Sequence, residues 1–237
     1  MGQLFYSMSL AMGIMITYGS YMKKDVSIEG SVKQIELFDT GIAFLAGLMI
    51  VPAAYVFNGG DMAAMGKGPG LMFGTLPEVF KGIEGGNILG ALFFLLVFFA
   101  ALTSSISLME TVVSLLQDKL HWRRGTSCLA VFLGAIVLGV PASLGNGAWS
   151  GITVLGKNFL DFFDFISNSV IMPIVALLTC IFVGYVLKPK SIISELEETS
   201  PFRAKKLYSV IIRYIAPICI LLILISSVLE GLGLFVI

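Results

Sequence analysis

The hydrophobic pattern divides the chain into six long apolar runs joined by shorter polar connections. A helix crosses a bilayer with about 20 mostly apolar residues. Runs of that kind occupy 4–21, 38–57, 88–116, 128–144, 159–187 and 208–237. Lys23-Lys24-Asp25 stops the first and Asn58-Gly59-Gly60-Asp61 stops the second. The third is long enough to tilt or to project from the bilayer. Within the 61–87 connection, Leu71 to Phe80 is apolar but too short to cross. It reads as a re-entrant or interfacial piece, or equally as a surface helix. The pattern predicts an all-α polytopic membrane protein of about six transmembrane helices, forming one domain over 1–237.

Composition agrees. Hydrophobic residues make up 57% of the chain and charged residues 13%, and mean hydropathy is +0.95. A soluble domain carries about 45–50% apolar and about 25% charged residues. So much apolar surface needs lipid against it. The formal net charge is zero, which gives no sign of a nucleic-acid partner. Cys128, Cys180 and Cys219 lie far apart in apolar runs, without metal-ligand spacing. The single histidine, His121, sits in a basic loop and reads as solvated. No HExxH, GxSxG or P-loop motif occurs, and the chain is not expected to be an enzyme.

Basic residues near span ends favour the cytoplasm. The first–second, third–fourth and fifth–sixth connections, with the start of the last span, hold twelve of the fifteen lysines and arginines. Only Lys67, Lys81 and Lys157 lie on the other side. The twelve therefore belong inside, which places both termini outward. An outward start without a basic leader, opening in mid-span, leads to the expectation that further helices precede Met1.

Polar groups inside spans are costly and mark function or packing. Ser7-Met8-Ser9-Leu10-Ala11-Met12-Gly13 puts two hydroxyls and a glycine in the first run. This is either a broken helix whose freed carbonyls bind a ligand or a continuous helix packed through small residues. The pattern alone favours the continuous one. Thr103-Ser104-Ser105 lies mid-way along the third run. Ala100, Thr103 and Ser104 stand at i, i+3 and i+4 and share a face. A carbonyl and two hydroxyls on one face suit a small hard cation, or equally helix–helix hydrogen bonding. Asp39, Glu110 and Asp164 are intramembrane carboxylates, although Asp39 also reads as a helix cap. Any basic partner for them comes from a loop or from chain outside this sequence.

Four segments resemble the neurotransmitter:sodium symporter family, in its bacterial amino-acid-transporter branch. Gly2-Gln3-Leu4-Phe5-Tyr6-Ser7-Met8-Ser9-Leu10-Ala11-Met12-Gly13 resembles the family's sixth helix, with its unwound middle. Asp39-Thr40 with Ala46-Gly47 and Pro52 resembles the seventh. Gly68-Pro69-Gly70 through Phe80 resembles the outer fourth loop, and Phe98-Phe99-Ala100-Ala101-Leu102-Thr103-Ser104-Ser105 the eighth. The family fold has two inverted five-helix repeats plus extra helices. The resemblance implies that this chain holds helices 6 to 11, the second repeat and one more helix, in a bacterial plasma membrane. It implies that helices 1 to 5 are the missing partner.

The resemblance also implies roles. Ala100, Thr103 and Ser104 match one sodium site, and Ser7 and Asp39 the other. Tyr6, Ser7, Ser9, Met12, Ser104 and Leu108 match the substrate pocket, with Tyr6 in its aromatic lid. Asp164 matches the outer gate, and Tyr21 and Asp118 the inner gate. Gln3 and Ser7 match chloride-site positions. Ala43 lacks the acidic side chain that replaces chloride in some bacterial members, while Asp39 is acidic where many relatives have asparagine. Chloride dependence stays open between these two readings. Ala11 replaces a usual glycine and Tyr6 a frequent phenylalanine. The implied function is sodium-coupled symport of an amino acid, with Met12 and Leu108 suiting a hydrophobic one. The alternatives are a truncated or split gene product without transport of its own, and a non-transporting membrane scaffold.

Overall fold

The computed structural model describes residues 7–61, 68–199 and 201–231. Helix dominates them, and the one bridge among the described residues joins Val154 and Lys157. In chain order the helices are α1 (Ile14–Ser20), α2 (Ile28–Phe57), α3 (Leu76–Lys81), α4 (Gly86–Leu120), α5 (Arg124–Leu144), α6 (Phe159–Leu187), α7 (Pro189–Glu197) and α8 (Lys205–Glu230).

Five of these, α2, α4, α5, α6 and α8, are long and apolar enough to cross a membrane. Within the apolar window of four of them only 6% of residues are buried, and 22% in α6. A water-soluble bundle would turn that surface inward. Here it faces outward, as a polytopic helical membrane protein requires. The first expected crossing, 4–21, is described from Ser7, and its regular helix there is confined to α1 and Ser7 itself.

Helix ends follow local chemistry. The Ser27 hydroxyl accepts the Gly30 N–H at 3.2 Å and starts α2 ten residues before the apolar run. Its first turns are polar, with Lys33 donating to Glu29 at 2.5 Å. The Asn158 side chain accepts the Asp161 N–H at 2.8 Å and starts α6. Both α6 and α8 contain wide turns of the π type, at Phe165–Ile171 and Phe182–Leu187 in α6 and at Ile211–Ile215 in α8.

The chain forms two compact units, residues 34–106 and the remainder on both sides of that segment. In the 34–106 unit, a π turn at Leu71–Thr75 leads into α3, which buries Leu76 and Val79. Phe80 meets Phe93 and Phe94 of α4 in tilted and edge-on contacts with centroids 5.5 and 6.5 Å away, and Phe73 stacks on Phe94 at 6.1 Å. Gly86 permits this approach: a Cβ there would lie 1.7 Å from the Phe80 carbonyl oxygen. The short apolar segment of the outer connection is thus a helix docked on the start of α4 by aromatic contacts.

In the other unit, α8 packs on α6 through a core of Ala176, Cys180 and Ile220. Ala216, Leu177, Ile212 and Ala11 pack against that core. Small side chains at 176 and 216 allow close helix approach, the usual packing solution inside a bilayer.

Candidate functional site

The segment before α1 is unwound. Ser7 is helical, Met8 to Gly13 are turns and bends, and helix resumes at Ile14. Ser9, Ala11 and Gly13 have φ of 53°, 63° and 81°. Left-handed backbone costs an L-residue about 1–2 kcal/mol, so something must hold it. Ala11 packs against the α6–α8 core, and Gly13 abuts α4, where an added Cβ would meet Thr111 Cγ2 at 3.0 Å. The pattern alone favoured a continuous helix here, and the structure corrects that. Tertiary packing by three other helices, invisible in local periodicity, stabilises the break. Ser9 and Met12 on this segment are half-buried and Ser7 is exposed. Gln3 and Tyr6 lie outside the described residues.

The hydroxyl cluster of α4 has a definite geometry. Thr103 Oγ1 lies 3.0 Å from both the Phe99 and the Ala100 carbonyl oxygens. The hydroxyl is placed to donate to either carbonyl, the back-bonding usual for a threonine inside a helix. Ser104, next along, shares their face, whereas Ser105 donates to the Leu102 carbonyl at 2.8 Å. Leu108 follows one turn later and is exposed.

Asp39 lies eleven residues into α2, far from its N-terminus at Ile28. That excludes the reading of Asp39 as a helix cap. Ser7 and Ser9 belong to one compact unit, and Asp39, Ala100, Thr103 and Ser104 to the other.

The residue after α1 enters a polar network. Tyr21 donates to Glu110 Oε1 at 2.9 Å. Arg124, which opens α5, grips the same carboxylate with both Nη groups, at 3.2 and 2.7 Å. This planar, two-pronged pairing is the strongest geometry open to a carboxylate. Tyr18 and Ser107 hydroxyls lie 2.5 Å apart one turn away. The sequence showed that any base for Glu110 must come from a loop or from outside, and the loop supplies it. Tyr21 thus meets Glu110, while Asp118 is exposed two turns further along α4. Asp164 is exposed on α6 and accepts from Asn168 Nδ2 at 2.5 Å.

The sequence profile of the sodium:neurotransmitter symporter family matches residues 1–233. An uncharacterized sodium-dependent transporter of Haemophilus influenzae is 35% identical over 228 residues, covering 96% of this chain and 49% of that protein. A second, from Bacillus subtilis, is 31% identical, covering 96% and 50%. Among solved structures, the crystal structure of MhsT in complex with L-phenylalanine matches with a TM-score of 0.85 and 37% identity, over 95% of this chain and 50% of MhsT. The chain spans about half the length of the relatives it matches. With its unwound segment, its hydroxyl-bearing α4 and its five apolar helices, this multi-pass membrane protein belongs to the sodium:neurotransmitter symporter family.

Proposed function

We propose that the chain supplies the second half of a sodium-coupled amino-acid symporter that works by alternating access. The carrying observation is the unwound stretch from Ser9 to Gly13. Irregular backbone at membrane depth is tolerated where it is buried in protein or lines a cavity. Broken helices also present freed carbonyls and half-helix ends to ions and charged substrates. In this reading Ala100, Thr103 and Ser104 hold one sodium ion, and Ser7 with Asp39 another. Tyr6, Ser7, Ser9, Met12, Ser104 and Leu108 line the substrate pocket, and Tyr21, Asp118 and Asp164 act in gating. The shared face of Ala100, Thr103 and Ser104 on α4 supports the first ion site. L-phenylalanine in MhsT and the apolar side chains of Met12 and Leu108 favour a hydrophobic amino acid. Sodium and substrate stabilise each other's bound state, so the sodium gradient drives uptake.

The test is sodium-dependent uptake of labelled hydrophobic amino acids into proteoliposomes. The chain alone is compared with the chain joined to the non-matching half of the Haemophilus influenzae relative. Uptake by the joined form, lost without a sodium gradient, is the expected result. Sodium-independent uptake would refute coupling, and uptake by the chain alone would refute the need for a second half. In the active form, Thr103→Ala with Ser104→Ala should raise the sodium concentration for half-maximal uptake by about thirtyfold, the equivalent of two lost hydroxyl ligands at ~1 kcal/mol each. An unchanged sodium dependence would remove these residues from the site.

A further inference from the structure

A cleft of about 370 Å³ opens where α6, α7 and α8 meet, lined by Lys190, Ser194, Glu197, Lys205, Ser209 and Arg213 among others. Three cations face one carboxylate there, and Glu197 is committed to Lys205 by an ion pair. Lys190 has no partner among the described residues. Arg213 donates Nε to the Gly184 carbonyl at 3.0 Å, and Tyr185 donates to the Arg213 carbonyl at 3.0 Å. These two bonds set the guanidinium between the wide turns of α6 and α8 and leave its Nη groups without a partner among the described residues. The cleft is thus a built, net-positive pocket.

We infer that this cleft binds the phosphate group of an anionic phospholipid in the inner leaflet. The charge bias of the connections places this end of the chain inside, where anionic lipids concentrate. Arg213 lies eight residues into α8, about 12 Å along it from Lys205, so the lining residues spread over a length of helix comparable with a headgroup layer of about 5–8 Å. Val186, Leu207 and Val210, close in sequence to the lining residues, are exposed. A ligand with an anionic head and apolar tails satisfies both surfaces, whereas a free phosphate satisfies only the first. A guanidinium with two open N–H groups suits a phosphate diester, and Lys190 adds a mobile point charge. The strained backbone of Lys188, with φ 65° and ψ 136°, sets the angle at which α7 leaves α6 and closes one wall of the cleft.

The test measures binding of dioctanoyl-phosphatidylglycerol and dioctanoyl-phosphatidylcholine to the full chain in detergent, with inorganic phosphate as competitor. No uptake is involved, so failure here is distinct from failure of the transport reading. Phosphatidylglycerol should bind at least about tenfold more tightly, and Lys190→Gln should weaken it about fivefold. Arg213→Gln should abolish the preference, but it also cuts the bond to Gly184. Lys190→Gln, at an exposed residue without a partner among the described residues, carries the test if that variant misfolds. Lys157→Gln, outside the cleft, should change nothing. Equal binding of the two lipids, or no effect of Lys190→Gln, would overturn the inference. Displacement by an equal concentration of inorganic phosphate would assign the cleft to a soluble anion and overturn the lipid.

Discussion

Ala11 and Gly13 both hold left-handed backbone, yet their substitutions should behave in opposite ways. At Ala11 a methyl is present at a conformation costing about 1–2 kcal/mol, and its half-burial against the α6–α8 core returns at most about 0.8 kcal/mol. Ala11→Gly should therefore stabilise the chain by up to about 1 kcal/mol in detergent unfolding. A loss would mean that the methyl packs better than its burial indicates. At Gly13 the added methyl meets both the backbone cost and Thr111 Cγ2 at 3.0 Å. Gly13→Ala should cost about 2–4 kcal/mol, from left-handed strain and overpacking together. Thr111→Ser removes the obstructing methyl and keeps the hydroxyl that donates to the Ser107 carbonyl at 3.0 Å. The pair Gly13→Ala, Thr111→Ser should recover the steric share and leave the backbone share. No recovery would show that the clash does not limit the site.

At the scale of elements, the network on α4 ties the ends of α1 and α5 together. Removing the Tyr21 hydroxyl should loosen the connection between α1 and α2. With Cys128, Cys180 and Cys219 changed to serine, a thiol at Lys24→Cys should be labelled about fivefold faster when Tyr21→Phe is added. Glu110→Gln, which weakens the bonds to Tyr21 and Arg124 at once, should exceed it; equal or slower labelling would show that the contact does not restrain the connection. Much of this level was legible beforehand, and the gaps have physical causes. The expected range 159–187 has the same bounds as α6, because its apolar run and its helix coincide. For α2 they do not, since hydropathy measures what lipid can cover rather than where hydrogen bonds begin. The signal that was missed is Ser27 followed by Glu29, an N-cap and an acidic first turn. The π turns left no trace, because one extra residue in a turn disturbs no composition. Neither did the pairing of Arg124 with Glu110, which depends on how the 121–123 connection turns Arg124 back toward α4. Of the candidate site, the shared face of Ala100, Thr103 and Ser104 followed from helical spacing, whereas the break at Ser9 to Gly13 followed only from resemblance.

For the whole molecule, the charge asymmetry predicts sidedness. In the same cysteine-free background, a membrane-impermeant thiol reagent applied from outside should reach cysteines at Lys81 and Lys157. It should leave those at Lys24 and Lys190 unlabelled until the membrane is opened. The reverse labelling would invert the topology and move the basic cleft to the outer leaflet. Mixed labelling at Lys24 and Lys190 would break the even alternation of crossings on which the charge count rests.

The contacts of Tyr18 with Ser107 and of Tyr21 with Glu110 each join positions 89 residues apart. Between the joined points lies the whole 34–106 unit. In terms of chain topology, that unit is a ring pinned shut at its base rather than a segment strung between two ends. Closing a flexible ring of that size has an entropic cost that grows only with the logarithm of its length, so a few hydrogen bonds suffice to hold the knot of contacts at its neck.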